Sequence, residues 1–272
     1  MPAFSRRQLI VLLLLTIVWG LNWPILKISV ADFPPLTFRT VSLWLSLPVY
    51  ALVLTWQRTG FAIARAHWPR VAWLALFNVA GWNALMILAI PLLTSGRAAI
   101  LGYTMPIFSA VIGQIVFRDR LSARGWMGVA GAAAGVILLL WNEIARLTGS
   151  GAGVALMLAA ALSWALGTQL LRRSTLAVPL ITLTFWMTVL SVIALTPLAW
   201  FVEGGRWHLP GSVTTFGILY NAVLALAFAQ TAWFFLARTL PPIASTLSVM
   251  MIPVIGVFVG AWWLRETLHW QD

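Results

Sequence analysis

The sequence predicts an all-α polytopic membrane protein, built as two inverted-topology five-helix repeats in a basket-like arrangement, with the tenth helix missing from the chain. Three observations lead there. Composition is the first: 61% of the 272 residues are hydrophobic and 8% are charged, where soluble domains carry about 25% charged residues. No soluble core hides that much apolar surface. The second is that the apolar residues gather in runs of about 20, the length at which a helix spans a bilayer. Lipid admits only backbones whose hydrogen bonds close internally, and runs of this length close them as helices rather than as a barrel. The third is an internal repeat at an offset of 147: Pro106-Ile107 is answered by Pro253-Val254, Gly113 by Gly260, Arg118 by Arg265, Asp119 by Glu266 and Leu121 by Leu268.

Nine spans are expected, at about 9–29, 36–56, 71–91, 97–117, 123–141, 151–171, 179–202, 213–236 and 243–264. The first follows Arg6-Arg7. It lacks a small-residue cleavage signal and runs on through Trp19, Asn22 and Pro24, which makes it a retained helix rather than a signal peptide. In the fourth, Tyr103 stands three positions before Pro106, and in the ninth Ser245 and Ser248 precede Pro253. Proline removes an intrahelical hydrogen bond and bends its helix, so Pro106 and Pro253 are candidate gating positions; a static kink is the other role open to them. The fifth span carries Gly128, Gly131, Ala132, Ala133, Ala134 and Gly135, a small-residue face for close helix contact.

Further matches extend the repeat. Trp19 falls on Trp164 and Lys27 on Arg172 at an offset of 145, and Phe77-Asn78 on Tyr220-Asn221 at 143. Drifting offsets are what loop insertions between matched helices produce. Residues 1–147 then form the first repeat and 148–272 the second, in which Leu268 is followed only by His269-Trp270-Gln271-Asp272. Five helices per repeat is an odd number. The second repeat therefore starts from the opposite side of the membrane, and the two are related by an axis in the membrane plane, as in many secondary transporters.

Charge sets the expected orientation. With the N-terminus in the cytoplasm, the inside segments hold Arg6, Arg7, Arg58, Arg65, Arg70, Arg118, Arg120, Arg124, Arg172, Arg173 and Arg238, eleven of the 17 basic residues. Lys27, Arg39, Arg97, Arg146, Arg206 and Arg265 fall to the outside segments and helix ends, an asymmetry that favours this topology. The net charge of +11 is spread one to three residues per loop without a continuous stripe, which argues against a nucleic-acid partner and for contact with anionic lipid head groups.

Polar and aromatic residues inside spans are the candidates for a substrate site, because each polar group costs free energy in lipid unless it is turned inward or paired. They are Asn22 in the first span, Asn78 and Asn83 in the third, Tyr103 in the fourth, and Tyr220 and Gln230 in the eighth. Asn78 and Asn83 point about 140° apart on an α-helix, so only one of them faces a cavity squarely. Trp19, Trp82 and Trp164 have the faces to stack on a planar solute or cover a cation. An interhelical hydrogen bond, or plain core packing, is the second role open to each of these residues. Trp56, Trp68, Trp126, Trp141, Trp200, Trp207, Trp262 and Trp263 lie near span ends and read as an interfacial belt.

No Asp or Glu falls in the middle of a span, so the usual carboxylate proton relay is missing. There is no Gly-rich phosphate loop with its Lys for ATP, and His67, His208 and His269 are too scattered for a metal cluster. With no Cys, thiol and Cys-zinc chemistry are absent. The span serines have no histidine at membrane depth to activate them. No cofactor, metal or catalytic residue is expected, and the chain reads as a non-enzyme.

Trp19-Gly20-x-Asn22 in the first span, Pro35 and Arg39 entering the second, and the doubled pattern of Pro, Gly and Arg-Asp/Glu-x-Leu resemble the ten-helix EamA-type exporters of the drug/metabolite transporter superfamily. The resemblance covers the whole chain, and within the family the abundance of aromatics looks most like its aromatic amino acid exporters. It implies a bacterial inner-membrane protein that exports amino acids or other small metabolites through a central cavity where Trp19, Asn22, Tyr103 and Trp164 fall; alternating access by the two repeats and a monomeric chain are the accompanying expectations. Transporters of phosphorylated or sugar-linked metabolites in the same superfamily are the alternative, followed by a non-transport scaffold. One departure stands out: the counterpart of Trp19-Gly20-x-Asn22 is Trp164-Ala165-x-Gly167, which weakens any symmetric reading of the site.

Overall fold

The structure is a computed structural model that describes residues 5–119, 122–123, 125–131, 133–135, 150–240 and 251–266. The repeat boundary at 147/148, the end of the fifth span, residues 243–250 with Ser245 and Ser248, and Leu121 and Leu268 lie outside the described residues. All regular structure among the described residues is helical. In chain order the helices are α1 (Arg6–Ser29), α2 (Pro35–Trp56), α3 (Arg65–Leu92), α4 (Ser95–Ile115), α5 (over 125–131 and 133–135), α6 (Gly151–Arg172), α7 (Leu180–Glu203), α8 (Ser212–Ala237) and α9 (Met251–Leu264). Seven of them, all but α5 and α9, are long and apolar enough to cross a membrane, and α9 is a shorter apolar helix. The protein is a multi-pass membrane bundle.

Its surface is the reverse of a soluble protein's. Leu13, Leu52, Phe201, Leu209 and Trp262 are exposed, whereas Arg39, Asn78, Asn83, Asn221 and Gln230 are buried. A lipid-facing exterior requires this inversion, since apolar side chains lose nothing in hydrocarbon and polar ones must find partners inside.

Helix ends explain where the spans begin. α1 starts three residues earlier than the apolar run because Ser5 and Gln8 form a capping box: Gln8 N donates to Ser5 Oγ at 3.2 Å and Ser5 N to Gln8 Oε1 at 2.9 Å. α2 opens on Pro35, whose missing N–H is no loss in a first turn. The next amides, Leu36 N and Thr37 N, donate to the Glu203 carboxylate at 3.0 and 2.7 Å, and Thr37 Oγ1 donates at 2.8 Å. A carboxylate from the last residue of α7 thus sits on the positive end of α2. The same end of the bundle holds two more such closures. Lys27 Nζ donates to the carbonyls of Ile90 and Leu93 at the C-terminus of α3, and Ser95, the first residue of α4, donates its N–H and hydroxyl to Glu266.

α4 and α9 end alike. Arg118 (φ 57°) and Arg265 (φ 55°) adopt the left-handed region. The following amides turn back, Asp119 N to Gly113 O at 2.9 Å and Glu266 N to Gly260 O at 3.5 Å, in the manner of a Schellman cap. At the bundle end opposite Glu266, Asp119 forms an ion pair with Arg173, the residue after α6.

α3 and α8 each contain a π-helical segment, Leu76–Gly81 and Asn221–Gln230. Widening to i→i+5 bonding shifts the helix phase and turns carbonyls toward neighbours. Those neighbours supply donors: Ser163 to Phe77 O at 2.9 Å, Ser191 to Ala75 O at 3.3 Å, Trp19 Nε1 to Ala225 O at 3.1 Å and Tyr50 to Leu226 O at 2.6 Å.

Contacts come in matched sets when α1–α4 are set against α6–α9: α1 on α9 and α6 on α4, α1 on α8 and α6 on α3, α2 on α8 and α7 on α3. The approach of α3 to α6 depends on Gly167, where an added Cβ would lie 2.6 Å from the Asn78 side chain. Gly167→Ala is therefore expected to force the pair apart at about 1–3 kcal/mol, read as a lower melting temperature in detergent. Glu203→Ala, which orphans two amides of α2, is expected to lose about 2 kcal/mol in the same assay, with Glu203→Gln recovering part of it.

Candidate functional site

A small cavity of about 50 Å³ lies at the centre of the bundle. From α1 it receives Trp19, Asn22 and Trp23, where Pro24 interrupts the hydrogen-bond ladder. α3 contributes Trp82, Asn83 and Met86, immediately after its π segment, and the π segment of α8 contributes Ala225, Leu226 and Gln230. α6 contributes Trp164. α4 contributes Tyr103 and Met105 from an interruption in which residues 103 and 104 form a turn. The break falls two residues before Pro106, because a proline ring crowds the preceding turn and offers no N–H. The wall is completed by Arg39, in the second turn of α2.

Trp164 organises the aromatic lining. It is 3% exposed, and its ring lies 6.0 Å from that of Trp19, 5.2 Å from Trp82, 6.5 Å from Trp233 and 6.2 Å from Phe234. The Trp19 contact is edge-on, those with Trp82 and Trp233 are tilted and that with Phe234 is stacked, arrangements that suit the ring quadrupoles. Trp19 is held by its bond to Ala225 O, and Asn83 by donating to Val79 O at 2.7 Å.

A second void lies on the Arg172 side of the first, lined by Pro106, Ser109, Ala165, Thr168, Arg172 and Trp233 together with Tyr103, Met105 and Trp164. The last three line both spaces. Beyond them, Gln169 Nε2 donates to Ser109 O and Oγ at 2.6 and 2.8 Å, tying α6 to α4 close to the Asp119–Arg173 ion pair.

Of the residues expected at a substrate site, Trp19, Asn22, Trp82, Asn83, Tyr103, Trp164 and Gln230 come together at the central cavity. Asn78 and Tyr220 do not line it. Asn78 packs against Gly167 and donates to Leu74 O, while the Tyr220 hydroxyl donates to Val18 O at 2.7 Å and joins α8 to α1. Pro106 lines the second void, and Pro253 lines neither space, lying in the first turn of the described part of α9. Arg39, expected among the charges at outside segments and helix ends, is instead 1% exposed and belongs to the cavity wall. Its signal was present: a lone Arg between Phe38 and Val41 in an apolar run is an intramembrane ionisable residue, and such residues mark function by default. Among the described residues, no group of three or more His, Asp or Glu is placed to hold a metal ion.

A multi-pass helical bundle with a polar and aromatic hollow at its centre and a second void adjoining it is an architecture suited to a membrane transporter. The chain belongs to the EamA-like transporter family, whose model matches residues 6–141 and again residues 151–272. Relatives include the uncharacterized transporter YoaV of Bacillus subtilis, 24% identical over 94% of this chain and 87% of its own length. The uncharacterized inner membrane transporter YedA of Escherichia coli is 27% identical over 93% of this chain and 82% of its own. A protein of Salmonella typhimurium described as a probable amino-acid metabolite efflux pump is 26% identical over 97% and 89%. A solved crystal structure, 16% identical, superposes with a TM-score of 0.74 over 98% of this chain and 92% of that one, a likeness of fold alone.

The absence of native cysteine makes the lining directly testable. Single cysteines at Asn83 and Met86 are expected to react with a small methanethiosulfonate reagent in membranes, whereas a cysteine at Asn78, equally buried but packed on α6, is expected to stay unmodified.

Proposed function

We propose that this transporter exports amino acids, aromatic and other neutral ones, or similarly small amphipathic metabolites, across the bacterial inner membrane by alternating access. The observation that carries the reading is the central cavity walled by Trp19, Trp82 and Trp164, with Asn22, Asn83, Tyr103 and Gln230 as its polar points. Aromatic faces bind the body of an amphipathic solute, and a few amides fix its head. Relatives whose names describe amino-acid metabolite efflux, from Salmonella typhimurium and Escherichia coli, support the substrate class. The aromatic content supports the narrower likeness to the bacterial aromatic amino acid exporter YddG.

In this reading residues 1–147 and 148–272 are inverted repeats that rock about the cavity, and the chain works as a monomer with its N-terminus in the cytoplasm. The doubled family match, the paired left-handed arginines and the π segments of α3 and α8 support the repeat. The Glu203, Glu266 and Lys27 closures then face outward and the second void faces inward. Tyr103, Met105 and Trp164 form the inner gate beside Pro106, with Pro253 its counterpart in the other half. A phosphorylated solute would call for several cations, and Arg39 is the only Lys or Arg lining the central cavity among the described residues.

The test is uptake of radiolabelled phenylalanine, threonine and a phosphorylated sugar into proteoliposomes, with and without a pH gradient. Selective amino acid flux unaltered by the gradient is the expected result, and flux of the sugar phosphate alone would sink the reading. Trp164→Ala is expected to cut phenylalanine flux about tenfold or more at unchanged membrane expression, with threonine less affected.

A further inference from the structure

We propose that Arg39 is the carboxylate anchor of the transport site, so that the solutes recognised carry one carboxylate beside an apolar or aromatic body. The inference rests on reading the central cavity as the solute site and adds to it the charge class of what binds there.

The guanidinium lines the cavity and is 1% exposed. Its Nη1 donates to Asn221 Oδ1 at 3.0 Å, and the Asn221 amide is itself fixed by donating to Gly217 O at 2.9 Å. This bond holds the guanidinium in place by one nitrogen. The other two nitrogens, Nε and Nη2, are buried without a hydrogen-bond partner. They are the pair whose N–H bonds run parallel along one edge of the guanidinium, the edge that takes a carboxylate through two bonds at once.

No carboxylate of the described residues occupies that edge. Asp32 is exposed, Asp119 is paired with Arg173, Glu203 caps α2, and Glu266 caps α4. A buried cation without a counter-ion is strongly unfavourable, and a carboxylate brought by the solute removes the deficit. The same wall offers what the rest of an amino acid needs. Asn22 Oδ1 is buried, unpartnered and an acceptor, suited to an ammonium. Gln230 Nε2 is an unpartnered donor for a second carboxylate bond. Trp19, Trp82 and Trp164 supply faces for the side chain and for the cation. One fixed positive edge and one free acceptor match a zwitterion or a monocarboxylate, and they reject a simple amine, which would meet Arg39 with like charge.

The experiment compares matched acid and amide ligands by isothermal titration on the purified full-length chain: phenylalanine against phenylalaninamide, and 3-phenylpropionate against 3-phenylpropanamide. The acid is expected to bind about tenfold or more tightly than its amide in at least one pair. Arg39→Gln should abolish that preference and Arg39→Lys should keep part of it. Because the acid–amide comparison is made on the unaltered protein, a variant that fails to fold leaves the test intact. Preference confined to the phenylpropionate pair would uphold the anchor while removing the amino acid reading of the site. Equal binding of acid and amide in both pairs, no binding of any of the four, or a preference that survives in folded Arg39→Gln would overturn the proposal.

Discussion

Surrounded by hydrocarbon, a backbone carbonyl or amide that leaves its helical ladder must find a partner within the protein, and the architecture of this chain follows from that demand. Side chains from neighbouring helices answer that demand at both π segments and at three helix ends. Ser163 and Ser191 serve the π segment of α3, and Trp19 and Tyr50 serve that of α8. Glu203, Glu266 and Lys27 serve the ends of α2, α4 and α3. Each of these bonds joins two different helices. The irregular backbone is therefore also what fastens the bundle, with polar bonds acting where apolar contact has little advantage over lipid.

The polar groups left over are concentrated where the bundle is hollow. Arg39 Nε and Nη2, Asn22 Oδ1 and Gln230 Nε2 are buried without partners and line the central space. A group that neither lipid nor protein satisfies is poised for water or solute. The aromatic wall is by contrast packed ring against ring around the buried Trp164, with Trp19 and Trp82 only partly buried. The cavity lining thus divides into a preformed aromatic surface and a small set of unmet hydrogen bonds.

The span positions were legible in the sequence because bilayer thickness imposes a length that composition reveals directly. Trp19, Asn22, Trp82, Asn83, Tyr103, Trp164 and Gln230 were legible as candidates because polar and aromatic residues stand out within apolar runs. Which way each one points was harder to read. A uniform 100° per residue fails across Leu76–Gly81 and Asn221–Gln230, where the helix widens, and nothing in those apolar stretches announces a π segment. Asn78 and Tyr220 accordingly went to contacts with Gly167 and Val18. Arg39 was misplaced for a different reason. A charge four residues from a proline start looks like one that reaches the interface, and its burial depends on the tertiary contact with Asn221, 182 positions away.

The wall shared by the two voids has a consequence for how such a protein can change over generations. Tyr103, Met105 and Trp164 face both spaces, so in the proposed transport cycle the residues that touch the solute are also those that close the inner gate. Enlarging the hollow by trimming any of the three also widens it toward the second void. Under that proposal leakiness and substrate range are inherited together, and a shift of specificity without a loss of tightness comes from residues that face the central space alone, Asn22, Arg39, Asn83 and Gln230 among them.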